Sequence, residues 1–128
     1  MPKIESIGNL ENLSNLNFLG IYGATKLKNI DGLETLKNLK TLELDTCRKI
    51  NNLEIIGKLT SLEKLRFTNS GKIESLKPLC NLKNLTQVDL IESTNILDGD
   101  ISVLTRLPKI RRLLFQDRKH YNLKKCEF

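Results

Sequence analysis

Apolar residues in this chain return to the same columns every 23 residues. Leu13-x-x-Leu16-x-x-Leu19-x-Ile21 is followed by Leu36-x-x-Leu39-x-x-Leu42-x-Leu44, then by Leu59-x-x-Leu62-x-x-Leu65-x-Phe67 and Leu82-x-x-Leu85-x-x-Val88-x-Leu90. A fifth row, Leu107-x-x-Ile110-x-x-Leu113-x-Phe115, follows after 25 residues rather than 23. The other half of each row repeats as well, in Leu27, Ile30, Leu33, then Ile50, Leu53, Ile56, then Ile73, Leu76, Leu79, with Ile4, Ile7 and Leu10 upstream. A fixed period of this length is the mark of a stacked repeat architecture and constrains the fold more than any single motif does.

The spacing carries its own physics. In L-x-L the two apolar residues lie two apart, so they point to one side of an extended strand. Strands are therefore predicted at 18–22, 41–45, 64–68, 87–91 and 112–116, stacked as a parallel sheet. The second half has period three, which puts its apolar residues on one face of a 3₁₀-like turn. One repeat cannot bury its own apolar side, so neighbours stack and share a continuous core. An amphipathic helical repeat fits poorly, because helical repeats are longer and would not keep L-x-L.

These columns resemble the leucine-rich-repeat family, L-x-x-L-x-L-x-x-(N/C)-x-(L/I), with an I-x-x-I-x-x-L-x-x-L second half. The short repeats are most similar to the phosphatase-regulator and internalin types, and the resemblance covers residues 4–116. It implies an α/β leucine-rich-repeat solenoid, with a parallel sheet of about five short strands on a concave face and 3₁₀ or irregular turns on a convex face. One domain is expected over 1–128, with repeats over 4–116 and a C-terminal cap over 117–128. The family's asparagine or cysteine position holds Ala24, Cys47, Ser70 and Ser93. All are small enough for a tight turn, but the family's asparagine ladder is missing.

The pattern breaks in two places. Two residues are added within Ile96-Leu97-Asp98-Gly99-Asp100-Ile101. Asp-Gly is a turn signal, and the reading is a solvated loop bulging from the fourth repeat. Asp98 and Asp100 could pair on calcium, but the rest of a calcium loop and its distal glutamate are missing, so the turn is preferred. The closing segment Gln116 to Phe128 leaves the period and is expected to cap the end of the stack, which solenoids require.

Charge follows the same division. Residues 1–105 hold 13 basic and 13 acidic residues, whereas residues 106–128 hold eight basic residues against two acidic ones. The whole net charge of +6 therefore sits in the last 23 residues. No stretch approaches the roughly 20 apolar residues of a membrane span, and the N-terminal residues show no apolar run of leader length, so a cytoplasmic chain is expected. Cys47, Cys80 and Cys126 lack metal-ligand spacing and read as reduced thiols. The single histidine, His120, falls in the expected cap. No nucleophile, metal or phosphate-loop arrangement is apparent around it or the three cysteines, so the expectation is a non-enzyme without cofactor.

A binding surface remains. The residues flanking each L-x-L pair should face outward on the concave side, with Gly20, Glu43, Arg66, Asp89 and Leu114 as the middle row. Two uses compete for that row: a self-neutralising charge ladder, or a mixed-charge interface anchored by aromatic and arginine side chains. The interface is preferred, carried by Phe18, Tyr22, Glu43, Asp45, Lys64, Arg66, Asp89, Ile91, Arg112 and Gln116. Arg118, Lys119, His120 and Tyr121 form a secondary site at the basic end, in competition with a capping role. The segment Asp117 to Tyr121, D-R-K-H-Y, is similar to the ends of small repeat proteins found beside bacterial toxin genes. That resemblance, with a small stand-alone solenoid, implies an immunity protein that neutralises a cognate toxin domain. A regulatory scaffold or adhesin fragment is the alternative. Nucleic-acid binding is disfavoured because few aromatics interleave with the basic residues. A monomer or weak dimer with no membrane partner is expected.

Overall fold

The computed structural model describes residue 13 and residues 15–124. The expected columns at Ile4, Ile7 and Leu10, and Lys125, Cys126 and Glu127 of the closing segment, lie outside the described residues. Five strands form one parallel sheet: β1 (Phe18–Tyr22), β2 (Thr41–Asp45), β3 (Lys64–Thr68), β5 (Gln87–Ile91) and β7 (Arg112–Phe115), in the order β1-β2-β3-β5-β7. Two short strands, β4 (Lys72–Ile73) and β6 (Asn95–Ile96), pair in a second parallel sheet. The first four major strands match the sequence expectation. The last stops at Phe115, so Gln116 lies just beyond the sheet.

Register follows the repeat. Leu19, Leu42, Leu65, Val88 and Leu113 stand side by side, as do Ile21, Leu44, Phe67, Leu90 and Phe115. The 3₁₀ turns fall where the period-three half predicts, at Leu33–Thr35, Ile56–Lys58, Lys77–Asn81 and Ser102–Arg106. Leu27, Ile30, Leu33, Ile50, Leu53, Ile56, Ile73, Leu76 and Leu79 are all buried and join the strand leucines in one core. Each fully buried aliphatic side chain contributes about 1.5–3 kcal/mol relative to exposure. The first row is the exception: Leu13 is 45% exposed, and Leu16, Leu19 and Ile21 are only partly buried.

The strand exits show how the turn is built without an asparagine ladder. Gly23, Thr46, Asn69 and Glu92 all take a left-handed backbone. Gly23, Thr46 and Asn69 each donate a backbone N–H to the end of the next strand, at Asp45, Thr68 and Ile91. The small residue that follows satisfies carbonyls of the repeat before it. Cys47 Sγ reaches Ile21 O at 3.5 Å, and Ser70 Oγ donates to Leu44 O at 3.1 Å. In the fourth repeat Thr94 takes this role rather than Ser93. Thr94 is buried, its Oγ1 contacts Phe67 O at 3.5 Å, and it accepts the Ser70 N–H at 3.1 Å. Ser93 is pushed to the surface, where its hydroxyl bonds to Asn69 Oδ1.

The insertion is a socket, not a solvated bulge. Gly99 is buried and left-handed, and a Cβ there would collide with the carbonyl of His120. Asn122 N–H donates to Gly99 O at 2.9 Å. Asn122 Oδ1 accepts the N–H groups of Ile101 and Ser102 at 2.9 and 3.1 Å, and its Nδ2 donates to Asp100 Oδ1 at 2.8 Å. Ser102 Oγ donates to the same Asp100 oxygen at 2.7 Å, and Asp98 Oδ1 accepts the Asp100 N–H at 3.0 Å. These bonds occupy the two carboxylates that could have suggested calcium. Among the described residues no group of three or more His, Cys, Asp and Glu side chains is placed to hold a metal.

The tail then seals the free edge of β6. Tyr121 OH accepts the Ile96 N–H at 2.9 Å, and His120 Nε2 donates to Ile96 O at 2.9 Å, since a carbonyl oxygen can only accept. Arg118 donates to Thr94 O at 3.2 Å. The Tyr121 ring also packs on Phe115, with centroids 6.0 Å apart. These groups supply hydrogen bonds that a further repeat would otherwise provide.

Two outcomes test the socket. Gly99→Ala should destabilise the fold by about 1–3 kcal/mol in urea denaturation, because both the left-handed backbone and the His120 carbonyl resist a Cβ. Lys119→Ala, on the exposed side of the tail, should change stability by no more than about 0.5 kcal/mol. The second outcome concerns pH. Hydrogen bonds from Asn122 and Ser102 hold the Asp100 carboxyl below its usual range. Its contribution is therefore full above about pH 4, the unfolded value, and is lost as pH falls through the lower folded value. Protection of the Ile101 and Ser102 amides, taken as exchange relative to the unstructured chain at the same pH, should fall as Asp100 is protonated in acid, and Asp100→Asn should flatten that response.

Candidate binding surface

Because side chains alternate along a strand, the residues between the core columns face solvent together. The middle row pairs in register as Gly20, Glu43, Arg66, Asp89 and Leu114. The row before it is Phe18, Thr41, Lys64, Gln87 and Arg112, and the row after it is Tyr22, Asp45, Thr68 and Ile91. Neighbouring strands are about 4.8 Å apart, so side chains within a row can meet.

The two ends of this face differ. On β1, Phe18 is 46% exposed and Tyr22 54% exposed. The Tyr22 ring folds back over Gly20, where a Cβ would strike it, and its hydroxyl donates to Glu43 Oε1 at 2.7 Å. Tyr22, Glu43, Leu44, Asp45, Arg66 and Thr68 line a shallow cleft of about 210 Å³. Glu43 and Asp45 are half-buried, and Arg66 is exposed. The hydrogen bond to Glu43, followed by slight burial and the charge of that carboxylate, pushes the Tyr22 phenol above its ordinary value.

The other end is built on Asp89, which is buried at 3% exposure although it belongs to the outward row. Gln87 Nε2 donates to its Oδ2 at 3.1 Å, and Arg112 Nε comes to 4.0 Å of its Oδ1. Oδ1 has no hydrogen-bond donor within reach. The charge ladder weighed against the interface does not form between Arg66 and Asp89: the ion pair in this row's neighbourhood joins Asp89 diagonally to Arg112.

The structure therefore places Phe18, Tyr22, Glu43, Asp45, Lys64, Arg66, Ile91 and Arg112 on one accessible face. Asp89 lies beneath that face, and Gln116 is exposed past the end of β7. The secondary group separates. Tyr121 is buried at 4%, the half-buried Arg118 bonds to the Thr94 carbonyl, and His120, bonded to the Ile96 carbonyl, stays exposed with Lys119. Arg118, His120 and Tyr121 thus take part in the cap. Sequence reasoning missed Asn122, whose side chain joins the tail to the insertion. The only signal for it was the 25-residue displacement of the fifth row.

One strand per repeat, a 3₁₀ return and a shared aliphatic core define a leucine-rich-repeat solenoid. The fold is that of internalin C2 from Listeria monocytogenes, which matches 80% of this chain with a TM-score of 0.52 at 22% sequence identity. The chain spans about half of that protein, covering 53% of it. Internalin F of the same species matches 88% of the chain at 24% identity and a TM-score of 0.47, with 44% of its own length covered. No protein-family model matches the chain, and no curated protein matches it.

The Tyr22–Glu43 contact can be checked by ultraviolet pH titration in a Tyr121→Phe background, which leaves Tyr22 as the one tyrosine. Its midpoint should lie above the ordinary value of about 10, because the nearby carboxylate disfavours the phenolate. Glu43→Gln should move the midpoint back down. An unchanged midpoint would mean that the hydroxyl does not rest on Glu43 in solution.

Proposed function

We propose that this chain is a non-catalytic protein-binding module whose partner docks on the solvent face of the sheet. The observation that carries the reading is the placement of its aromatics. Phe67, Phe115 and Tyr121 are buried, whereas Phe18 and Tyr22 stand about half exposed on β1, beside the Glu43–Asp45–Arg66 cleft. Leaving two large rings in water forgoes burial energy that the core could have used, and aromatic and arginine side chains dominate the energetics of protein interfaces. Tyr22 is also held in place by Gly20 and Glu43, so less side-chain freedom is lost on docking.

Within that class we favour an immunity protein acting in the cytoplasm on a cognate toxin domain. The D-R-K-H-Y closing segment supports this reading, as does a face of mixed charge that can cover an active region of either sign. A toxin with a basic cleft would meet Glu43 and Asp45.

The partner to test is a toxin-like reading frame adjacent to the gene, expressed as its isolated toxin domain and titrated with this protein. A one-to-one complex that blocks toxin activity is expected. Phe18→Ala with Tyr22→Ala should weaken that complex by about 2 kcal/mol or more. Tyr22→Ala with Arg66→Glu should likewise reduce recovery in a pull-down, whereas Lys49→Ala, away from the sheet, should not. Unimpeded toxin activity at saturating protein would refute the immunity reading. A complex indifferent to Phe18, Tyr22 and Arg66 would move the site off this face.

A further inference from the structure

The described basic residues near the end of the sequence do not form one patch. The rear of the group turns into the cap, where Arg118 donates to Thr94 O and Lys124 Nζ donates to Arg118 O at 2.7 Å. The front of the group takes a different position, on the rim where the strands begin. Arg111 and Arg112 both donate backbone N–H groups to Thr86 O, at 2.8 and 3.0 Å, which sets the start of β7 beside the start of β5. Lys109 Nζ donates to Asn84 Oδ1 at 3.0 Å, so it lies next to the turn that carries Lys83. Lys64 begins β3 in the same row as Gln87 and Arg112. All five cations are exposed.

Little on this rim opposes them. Glu63 lies 4.0 Å from Lys40, and Asp89 is buried. Asp89 instead acts on Arg112. Its approach is through Nε, the inner guanidinium nitrogen, while the Arg112 side chain keeps 62% of its surface in solvent. The two terminal nitrogens are left for a second carboxylate, the geometry in which arginine binds carboxylates with two parallel hydrogen bonds. The lone oxygen of Asp89 is consistent with a carboxylate placed for its charge on Arg112 and not for a hydrogen bond of its own.

We propose that the rim of Lys64, Lys83, Lys109, Arg111 and Arg112 docks an acidic segment of a protein partner, with Arg112 as its carboxylate fork and Asp89 as the residue that positions it. A protein is favoured over a nucleic acid because the nearby rings, Phe115 and Tyr121, are buried and offer no platform for base stacking. Glu43 and Asp45 on the adjoining face would also repel a long polyanion. The proposal rests on the protein-binding reading above but uses different residues, on the rim where β3, β5 and β7 begin.

The test is fluorescence anisotropy at low salt with a labelled Asp/Glu-rich peptide and a short DNA duplex of equal charge. The wild-type protein should bind the peptide more tightly than the duplex, and added salt should weaken the binding. Arg111→Glu with Arg112→Glu should weaken the peptide by about tenfold or more, whereas Lys49→Glu with Lys119→Glu, the same change in net charge elsewhere, should have an effect of roughly twofold or less. Arg112→Lys keeps the charge but loses the planar fork, and should weaken the peptide by roughly threefold or more. Equal losses in the two charge-reversed pairs would overturn the proposal, as would tighter binding of the duplex or no binding of the peptide. An Arg112→Lys variant as tight as wild type would overturn the fork. Loss of peptide binding through the rim leaves capture through Phe18 and Tyr22 intact, so failure here and failure of the earlier reading can be told apart.

Discussion

One 23-residue turn of this chain has an apolar side that it cannot bury alone. Leu42 and Leu44 become buried only because Leu19 and Ile21 lie on one side of them and Leu65 and Phe67 on the other. The rest of the structure depends on that mutual stacking. It forces one strand register throughout, because a slip of one residue would turn every core leucine to solvent. It also leaves the alternate residues outward in straight rows, which is how Tyr22 comes to rest beside Glu43. The same constraint makes the ends of the stack a problem, since an end repeat lacks a neighbour.

The C-terminal solution joins two departures from the pattern that seem unrelated in sequence. The insertion at Asp98-Gly99-Asp100 leaves backbone donors at Ile101 and Ser102 that no neighbouring repeat meets, and Asn122 meets them. Tyr121 supplies both a ring against Phe115 and an acceptor for Ile96. Using polar side chains in place of a further repeat satisfies the edge of β6. It also engages Arg118 and Lys124 of the tail and separates them from the basic residues on the rim. The net charge of the chain thus divides into a structural part and an accessible part.

Charge on the face is likewise ordered by packing. Asp89 stands between Arg66 and Leu114 in register, with the long side chains of Gln87 and Arg112 beside it. A short side chain among long neighbours is covered even on an outward row. It therefore lies beneath the surface, 4.0 Å from the Nε of the exposed Arg112 side chain. Glu43, beside Gly20, has a smaller neighbour, and the space is filled by the Tyr22 ring. The two ends of the sheet therefore differ in character, one aromatic and acidic, the other basic.

The repeat columns made the sheet, its parallel order, four of its five strand ranges and the 3₁₀ returns legible, because periods of two and three translate directly into which side of the chain is apolar. The ten side chains expected at a partner site were legible for the same reason as far as outward direction goes. Periodicity says nothing about the length of a neighbouring side chain, so the burial of Asp89 and the diagonal pairing with Arg112 were not. The two-residue pairing of β4 with β6 is too short to leave a pattern. The exchange of Thr94 for Ser93 depends on which hydroxyl reaches Phe67 O. By itself, then, the sequence determined the solenoid, since burial of a repeated apolar side has one stacked solution. Only the tertiary structure decided which charged residues hold the fold and which stay exposed, because that depends on contacts between residues more than 20 positions apart, such as Asn122 with Asp100 and Arg118 with Thr94.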